Sequence, residues 1–182
     1  MFGNCWCLPS LTIDFSERTT APEVPILTGL LTGSWYQLRE LYIDNPFNSN
    51  STVISSSYPT NAYGLKIKKL NCPLCSATTT NLPPDLVEML NVDYKFSMSS
   101  SGPARGLLKR ITMAPTMTRS CGTMRIKSYV MTKEDLQEWF ESLPVLNRET
   151  GTLVLTDIKS LTNHNIDDVI AIATEKGYTV TR

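Results

Sequence analysis

Period-two alternation of apolar and polar residues is the feature that most constrains this chain. It is clearest over residues 92–99, where every second residue is apolar: Val92, Tyr94, Phe96 and Met98. Such alternation is typical of a β-strand with one buried face. Turn-forming residues separate six further β-prone runs, at residues 33–41, 51–58, 65–72, 105–113, 122–131 and 150–157. The sequence therefore predicts a domain built mainly from short strands.

Two segments match the spacing of an amphipathic helix instead. Residues 165–177 do so clearly, with Asn165 as the predicted N-cap and Gly177 as the predicted stop. Residues 136–143 are ambiguous, because local propensity favours a helix while their length also suits a strand. A short helix over residues 83–90 is also compatible with the sequence, inside a long loop.

Length, charge and hydropathy limit the class of protein. The 182 residues are 41% hydrophobic and suit a single domain over residues 1–182 with one core. Seventeen basic and 17 acidic side chains give a formal net charge of zero, so we expect no nucleic-acid partner. Apolar stretches such as "VPILTGLL" are too short to span a bilayer, so the sequence predicts no transmembrane segment.

Cysteines and one glycosylation triplet indicate secretion. The five cysteines suit an oxidising compartment: Cys5, Cys7, Cys72, Cys75 and Cys121. Asn50 begins an Asn-Ser-Thr acceptor in a polar loop, which points to an extracellular glycoprotein. No second cysteine pair with zinc-site spacing follows Cys72 and Cys75, and the sole histidine, His164, is distant. We therefore expect no metal site and no resident cofactor.

The number and order of the predicted elements suit a closed barrel. Counted as a strand, residues 136–143 bring the total to eight strands followed by one helix, as in an up-and-down antiparallel barrel. Alternate connections are short, so they would close one end of the barrel and leave the other open. The expected fold class is all-β: an eight-stranded calyx over residues 33–158, between an irregular segment (1–32) and a wall-packed C-terminal helix with its tail (159–182).

Three segments resemble the motifs of one protein family. "GNCWCLPSLTIDF" with "LTGSWYQL" is similar to the family's N-terminal motif. Gly33, Trp35 and Tyr36 match the Gly-x-Trp-Tyr of that motif. "SYVMTKEDLQEWFES" resembles the second motif, with Asp135 at the acidic turn, which is why residues 136–143 are assigned to a strand. "GTLVLTDIKSLTNHNIDDVIAIATEKGYTV" resembles the last strand and the helix. The family is the lipocalins. Asp157 stands where these proteins carry Arg or Lys, so the chain would be a divergent member.

The lipocalin resemblance implies a cup around an apolar lumen, with Trp35 sealing its closed end. The side chains that we expect to line the lumen are Tyr94, Phe96, Met98, Ile111, Met113, Met124, Ile126 and Trp139. Three aromatics and three methionines among them would give a wide, deformable wall. We therefore expect a non-enzymatic extracellular carrier of a small hydrophobic molecule of the fatty-acid, retinoid, carotenoid or bilin type.

Alternatives to the carrier stay open. The same side chains could fill a solid core, and the long open-end loops would then bind a protein partner or a second copy. An isomerase, as in the prostaglandin synthase branch of the family, is less favoured because no cysteine lies near the closed half of an inward-facing strand. In the barrel, the third strand ends and the sixth begins at the open end. This predicts a disulfide from Cys72 or Cys75 to Cys121, with Cys5 and Cys7 supplying another tether.

Overall fold

Parallel strand pairing organises the structure. The computed structural model describes residues 8–20, 38–44, 66–71, 86–92, 105–118, 120 and 122–182. In chain order the elements are β1 (Ser10–Asp14), β2 (Glu40–Asp44), β3 (Lys66–Asn71), β4 (Glu88–Val92), β5 (Arg110–Met113), β6 (Thr123–Arg125), α1 (Lys133–Ser142), β7 (Gly151–Val154), a 3-10 turn (Lys159–Leu161), α2 (Asp167–Glu175) and β8 (Tyr178–Thr181). These strands pair in parallel, in a five-stranded sheet (β1-β2-β3-β4-β5) and a three-stranded sheet (β6-β7-β8).

The strand order in both sheets is the order of the chain. Paired strands start roughly 20 to 30 residues apart, which is within the repeat length of solenoid proteins. Helix α1 packs against β5 and α2 packs against α1, so a first layer continues from the five strands into the two helices. From β5 onward the chain alternates between this first layer and a second layer formed by β6, β7 and β8. We define a rung as one element of the first layer together with the second-layer strand that follows it: β5 with β6, α1 with β7, and α2 with β8. Each rung stacks on the rung before it.

The core lies between the two layers. Leu41 and Ile43 of β2 are fully buried, and Tyr42 between them is half-buried on the other face. This alternation is what a strand with one face on the core requires. Buried side chains from both layers and from α1 belong to the same apolar cluster, including Met89, Ile111, Met124, Leu136, Trp139, Phe140 and Leu153. Burial of this apolar surface favours stacking of the rungs.

The predicted antiparallel barrel is wrong. The strands pair in parallel in two sheets, and the described residues form no closed barrel. A hairpin joins antiparallel strands with a few residues, but a parallel pair needs a crossover of about a dozen or more. The observed strands are shorter than predicted: β6 covers only Thr123–Arg125 of the run over residues 122–131. The connections are correspondingly longer than the short loops on which the barrel prediction relied.

Residues 136–143 lie almost entirely in helix α1 and not in a strand. Thr132 is the N-cap: its Oγ1 accepts the N–H of Asp135 at 3.2 Å. The Asp135 carboxylate in turn accepts the N–H of Thr132 at 2.9 Å, which completes a capping box. Asp135 therefore starts a helix, and the turn-and-strand role implied by the lipocalin motif is wrong. The helix buries the side chains whose spacing indicated it: Leu136, Trp139 and Phe140.

The C-terminal helix is present, and a strand that the sequence patterns did not predict follows it. Within residues 165–177, the N-cap of α2 is Ile166, one residue after the predicted Asn165. Asn165 nevertheless accepts the N–H of Asp167 through Oδ1 at 3.0 Å. Gly177 has a φ of 92°, a conformation that favours glycine and ends the helix. The chain then enters β8, where a tail was predicted. Likewise β1 lies within the predicted irregular segment.

Ser128 links three consecutive turns of the chain. Its buried Oγ donates to the carbonyl of Leu108 at 2.6 Å and accepts the N–H of Met131 at 3.0 Å. Its backbone N–H donates to the carbonyl of Asp157 at 3.1 Å, and its own carbonyl accepts the N–H of Lys159 at 2.8 Å. Because Ser128 is buried, its hydroxyl group and the backbone groups that it contacts depend on one another for hydrogen bonding.

Helix α1 also covers the edge of the five-stranded sheet. The N–H of Met113 in β5 donates to Ser142 Oγ at 2.9 Å, so this edge donor is satisfied by a helix side chain. At the end of α1, Lys176 Nζ donates to the carbonyl of Leu143 at 2.7 Å. Burial lowers the pKa of Lys176. The contact between Ser142 and Met113 joins α1 to the rung before it, and the contact between Lys176 and Leu143 joins α1 to the rung after it.

We expect Ser128→Ala to lower the free energy of unfolding by about 1 to 3 kcal/mol, because the buried Leu108 carbonyl and Met131 N–H lose their partner. Urea unfolding followed by circular dichroism measures the change. Ser10→Ala, at an exposed position of β1, is the control and should change stability by less than about 0.5 kcal/mol. Equal stability of the Ser128 variant and the original protein would contradict a linking role for Ser128.

Because of the capping box, we expect substitutions at the start of α1 to have non-additive effects on the free energy of unfolding. Thr132→Ala and Asp135→Ala should each lower the free energy of unfolding by about 1 kcal/mol. The double variant should lose less than the sum, since each substitution already disrupts the reciprocal pair. Thermal unfolding of the three variants measures this, with Thr12→Ala on β1 as the control. Two independent, fully additive losses would mean that no capping box forms.

Candidate functional site

Five of the eight predicted lining side chains fall in the described part of the chain. They are Ile111, Met113, Met124, Ile126 and Trp139, and each is at most 3% exposed. They belong to the apolar cluster between the two layers and do not surround a barrel lumen. The Trp139 ring, for example, contacts Phe140 with centroids 5.2 Å apart. At these positions the structure favours the solid-core alternative.

The other predicted site residues, except Asp135, lie outside the described residues. They are the lining residues Tyr94, Phe96 and Met98, the motif residues Gly33 and Trp35, the glycosylation candidate Asn50, and the cysteines Cys5, Cys7, Cys72, Cys75 and Cys121. The expected disulfides, glycosylation and secretion therefore stay predictions.

A row of charged side chains crosses the outer face of the first layer. It takes one residue from each successive element: Glu40, Lys66, Glu88, Arg110 and Glu138. The sign of the charge alternates along this charged row. The ammonium groups of Lys66 and Lys68 lie 3.6 and 3.2 Å from the carboxylate of Glu88. Arg110 donates from Nε to Glu138 Oε2 at 2.9 Å, and its Nη2 donates to Oε1.

Pairing within the charged row shifts the pKa values of its members. Hydrogen bonding by Arg110 lowers the pKa of Glu138 and raises that of the guanidinium. Burial alone would raise the pKa of Glu88, but the hydrogen bond from Lys68 and the nearby positive charges lower it overall. Because each charge in the row has an opposite neighbour, the row supports stacking of the rungs and presents little net charge to a partner.

A second surface combines apolar and basic side chains on three turns of the chain. Leu107 pairs with Ser128 and Ser128 pairs with Ile158, so the turns around these residues are neighbours. Three large apolar side chains are exposed there: Leu107 (37%), Tyr129 (51%) and Val130 (42%). Four basic residues occupy the same turns: Arg105, Lys109, Lys127 and Lys159. These seven residues form what we call the corner surface.

The turns of the corner surface contain more basic than acidic residues. Residues 105–109, 127–130 and 156–160 contain its four basic residues and only one acidic residue, Asp157. The chain as a whole has a formal net charge of zero, so positive charge is concentrated on these turns. A local field of this sign attracts and orients an acidic partner. The corner surface therefore differs from the charged row, in which basic and acidic residues alternate.

Tyr129 is held in a fixed position on the corner surface. Its N–H donates to the carbonyl of Gly106 at 2.8 Å. Gly106 has a φ of 64°, and a Cβ atom there would come within 2.6 Å of the Tyr129 ring. Only glycine therefore allows the ring to lie in this position. Lys127 Nζ lies 5.5 Å from the ring centroid, within the range of a cation–π interaction.

A cavity of about 140 Å³ lies beside the last turn of the corner surface. Its floor consists of four buried apolar residues: Leu155, Ile158, Leu161 and Ile166. Its rim consists of four exposed polar residues: Thr156, Thr162, His164 and Arg182. Arg182 Nη2 lies 3.0 Å from Asp167 Oδ1, and Lys159 Nζ donates to the Thr156 carbonyl at 2.7 Å.

No pattern in the sequence predicts the corner surface or the cavity. Both are assembled from turns that lie far apart in the sequence and meet only through the parallel stacking. One signal was available, because Tyr129, Val130 and Met131 are three consecutive apolar residues and break the alternation of the run over residues 122–131. Such a break is unusual in a half-buried strand, and Tyr129 and Val130 are indeed exposed.

Comparisons with protein-family models, curated proteins and solved structures find no match to this chain. The lipocalin resemblance is therefore neither supported nor tested by them. Among the described residues, no helix is long and apolar enough to cross a membrane. In the same ranges, no group of three or more His, Cys, Asp or Glu residues is arranged to hold a metal ion.

The charged row predicts a pH-dependent coupling between Arg110 and Glu138. Replacing both by Gln, singly and together, should give a coupling free energy of about 0.5 to 1 kcal/mol at neutral pH, because the pair is partly exposed. The pKa of Glu138 is lowered from 4.5, so this contribution is present above that value and is lost as the pH falls through the lowered one. Urea unfolding of the four proteins over a pH series from about pH 7 downward measures the coupling. A coupling that persists undiminished in acid would contradict the charge pairing.

Proposed function

We propose that this protein is a non-enzymatic recognition module that binds an acidic protein surface through the corner surface. The observation that carries the proposal is the combination of exposed Leu107, Tyr129 and Val130 with four basic residues on adjoining turns. Apolar contact area supplies most of the binding free energy at protein interfaces, and complementary charge supplies orientation and association rate.

The rigidity of the corner surface supports the same proposal. Tyr129 is fixed by Gly106 and Lys127, and its neighbour Ser128 is tied to two other turns. A side chain that is already ordered in the free protein loses little conformational entropy on binding. Tyrosine is also among the residues that dominate binding energy at interfaces. Tyr129 is therefore the expected centre of the interface.

A protein partner is favoured over a nucleic acid. Single-stranded nucleic acids are held by aromatic rings on which bases stack, together with phosphate-binding cations. The corner surface has one aromatic ring, and its other exposed apolar side chains, Leu107 and Val130, are aliphatic. Aliphatic side chains offer no base-stacking platform but pack well in a protein interface. The zero formal net charge of the chain also gives no long-range attraction to a polyanion.

The antiparallel barrel from which the carrier was expected is not present in the described residues, and the carrier itself stays an untested prediction. It required a lumen lined by side chains such as Met113 and Trp139, which are packed in the core. The cavity beside the corner surface measures about 140 Å³, and pockets for drug-sized ligands usually exceed about 300 Å³. A fatty acid or a retinoid would not fit inside it.

We expect Tyr129→Ser to weaken partner binding by about fivefold or more, as loss of an interface anchor does. The full chain is immobilised, partners are captured in parallel from untreated and nuclease-treated cell extracts, and the affinity of each purified partner is measured by surface plasmon resonance. Lys109→Glu should lower the association rate, and raised salt should do the same to the original protein.

Two matched controls lie on the loop after α1. Val145 is 60% exposed and Arg148 is also exposed, so Val145→Ser and Arg148→Glu make the same types of change away from the corner surface. Both should bind like the original protein. Equal binding by all four variants would contradict the proposal, and so would retention of nucleic acid as the only partner.

A further inference from the structure

The cavity beside the corner surface combines an apolar floor with a polar rim, as small-molecule sites do. Its floor residues Leu155, Ile158, Leu161 and Ile166 are each at most 6% exposed, so they form a fixed apolar wall. Its rim carries hydroxyl, imidazole and guanidinium groups. An apolar pocket with a few polar groups at one side is the usual construction of a ligand site.

The polar side of the cavity suits an anion better than a cation. The guanidinium of Arg182 has five N–H donors, and the contact with Asp167 is made through Nη2, so other N–H groups remain for a ligand. The ammonium of Lys159 lies against the Thr156 carbonyl at the same rim. Three acidic residues lie close to the rim in the described part of the chain: Asp157 between Thr156 and Ile158, Asp167, which contacts Arg182, and Glu134, whose carboxylate interacts electrostatically with His164.

We propose that this cavity binds a small organic carboxylate whose apolar part is about the size of a benzene ring. The volume of about 140 Å³ is close to that of apolar protein cavities of about 150 Å³ that accept benzene. The ring would lie on the aliphatic floor, and the carboxylate would accept hydrogen bonds from Arg182. Guanidinium and carboxylate groups form the strongest class of hydrogen bonds between side chains. Lys159 belongs to the corner surface, but Arg182 does not, so the carboxylate contact can be tested apart from the proposed interface.

Benzoate is the probe, and two analogues test the contributions of its ring and of its carboxylate separately. Benzyl alcohol keeps the ring without the charge, and acetate keeps the charge without the ring. In a titration of the full chain followed by methyl NMR, benzoate should shift the signals of Ile158, Leu161 and Ile166 saturably, with a dissociation constant of about 1 mM or tighter. Benzyl alcohol should bind more weakly, and acetate should leave these methyl signals unchanged.

Arg182→Gln tests the carboxylate contact. The variant should bind benzoate about tenfold more weakly and benzyl alcohol equally well, because only the charged hydrogen bonds are lost. Arg148→Gln, on a distant exposed arginine, is the control and should bind both as the original protein does. Unchanged methyl spectra of Arg182→Gln in the absence of ligand verify that its fold is intact.

Two outcomes would overturn the inference. One is the absence of any saturable benzoate shift at the three floor residues. The other is equal binding of benzoate by the original protein and by Arg182→Gln. Neither result bears on the interface, because Tyr129→Ser should leave benzoate binding unchanged and Arg182→Gln should leave partner binding unchanged. The two proposals can therefore fail separately.

Discussion

Stacking of each rung on the one before it is the interaction on which the rest of the structure depends. Parallel backbone pairing joins the strands of each layer, and Ser128 satisfies buried groups on the turns before and after it. Where the first layer changes from strands to helices, Ser142 accepts the edge N–H of Met113 and keeps the stack continuous. In such an architecture the stability is close to a sum over neighbouring rungs. Loss of one contact between rungs should therefore lower the total free energy of unfolding by about the contribution of that contact.

The sequence predicted many of the elements but not the way they pair. The β-prone runs gave the positions of β3, β5, β6 and β7, and the apolar stripe after Asn165 gave α2. Local propensity predicts a helix over residues 136–143, and the strand assignment is wrong because it gives a family motif more weight than that propensity. Thr132 and Asp135 already had the spacing of a capping box, a local signal with a direct physical cause.

The parallel pairing had a sequence signal that short-range alternation does not show. "GTMRI" at residues 122–126 and "GTLVL" at residues 151–155 are alike, and a helical pattern follows each of them. A strand, a helix and a second similar strand indicate a parallel crossover more than a hairpin. The corner surface was harder to predict, because Leu107, Ser128 and Ile158 are brought together only by the register of the stack. No local pattern contains that register.

The most direct test of the stacked architecture is the pattern of cross-strand nuclear Overhauser effects in the three-stranded sheet. Met124, Leu153 and Val180 are register partners on β6, β7 and β8. Isotope-edited NMR of the full chain should show backbone contacts from Leu153 to both of the other strands, with the evenly spaced pattern of parallel pairing. Paired Hα–Hα contacts between β6 and β7, as in antiparallel strands, would contradict the account.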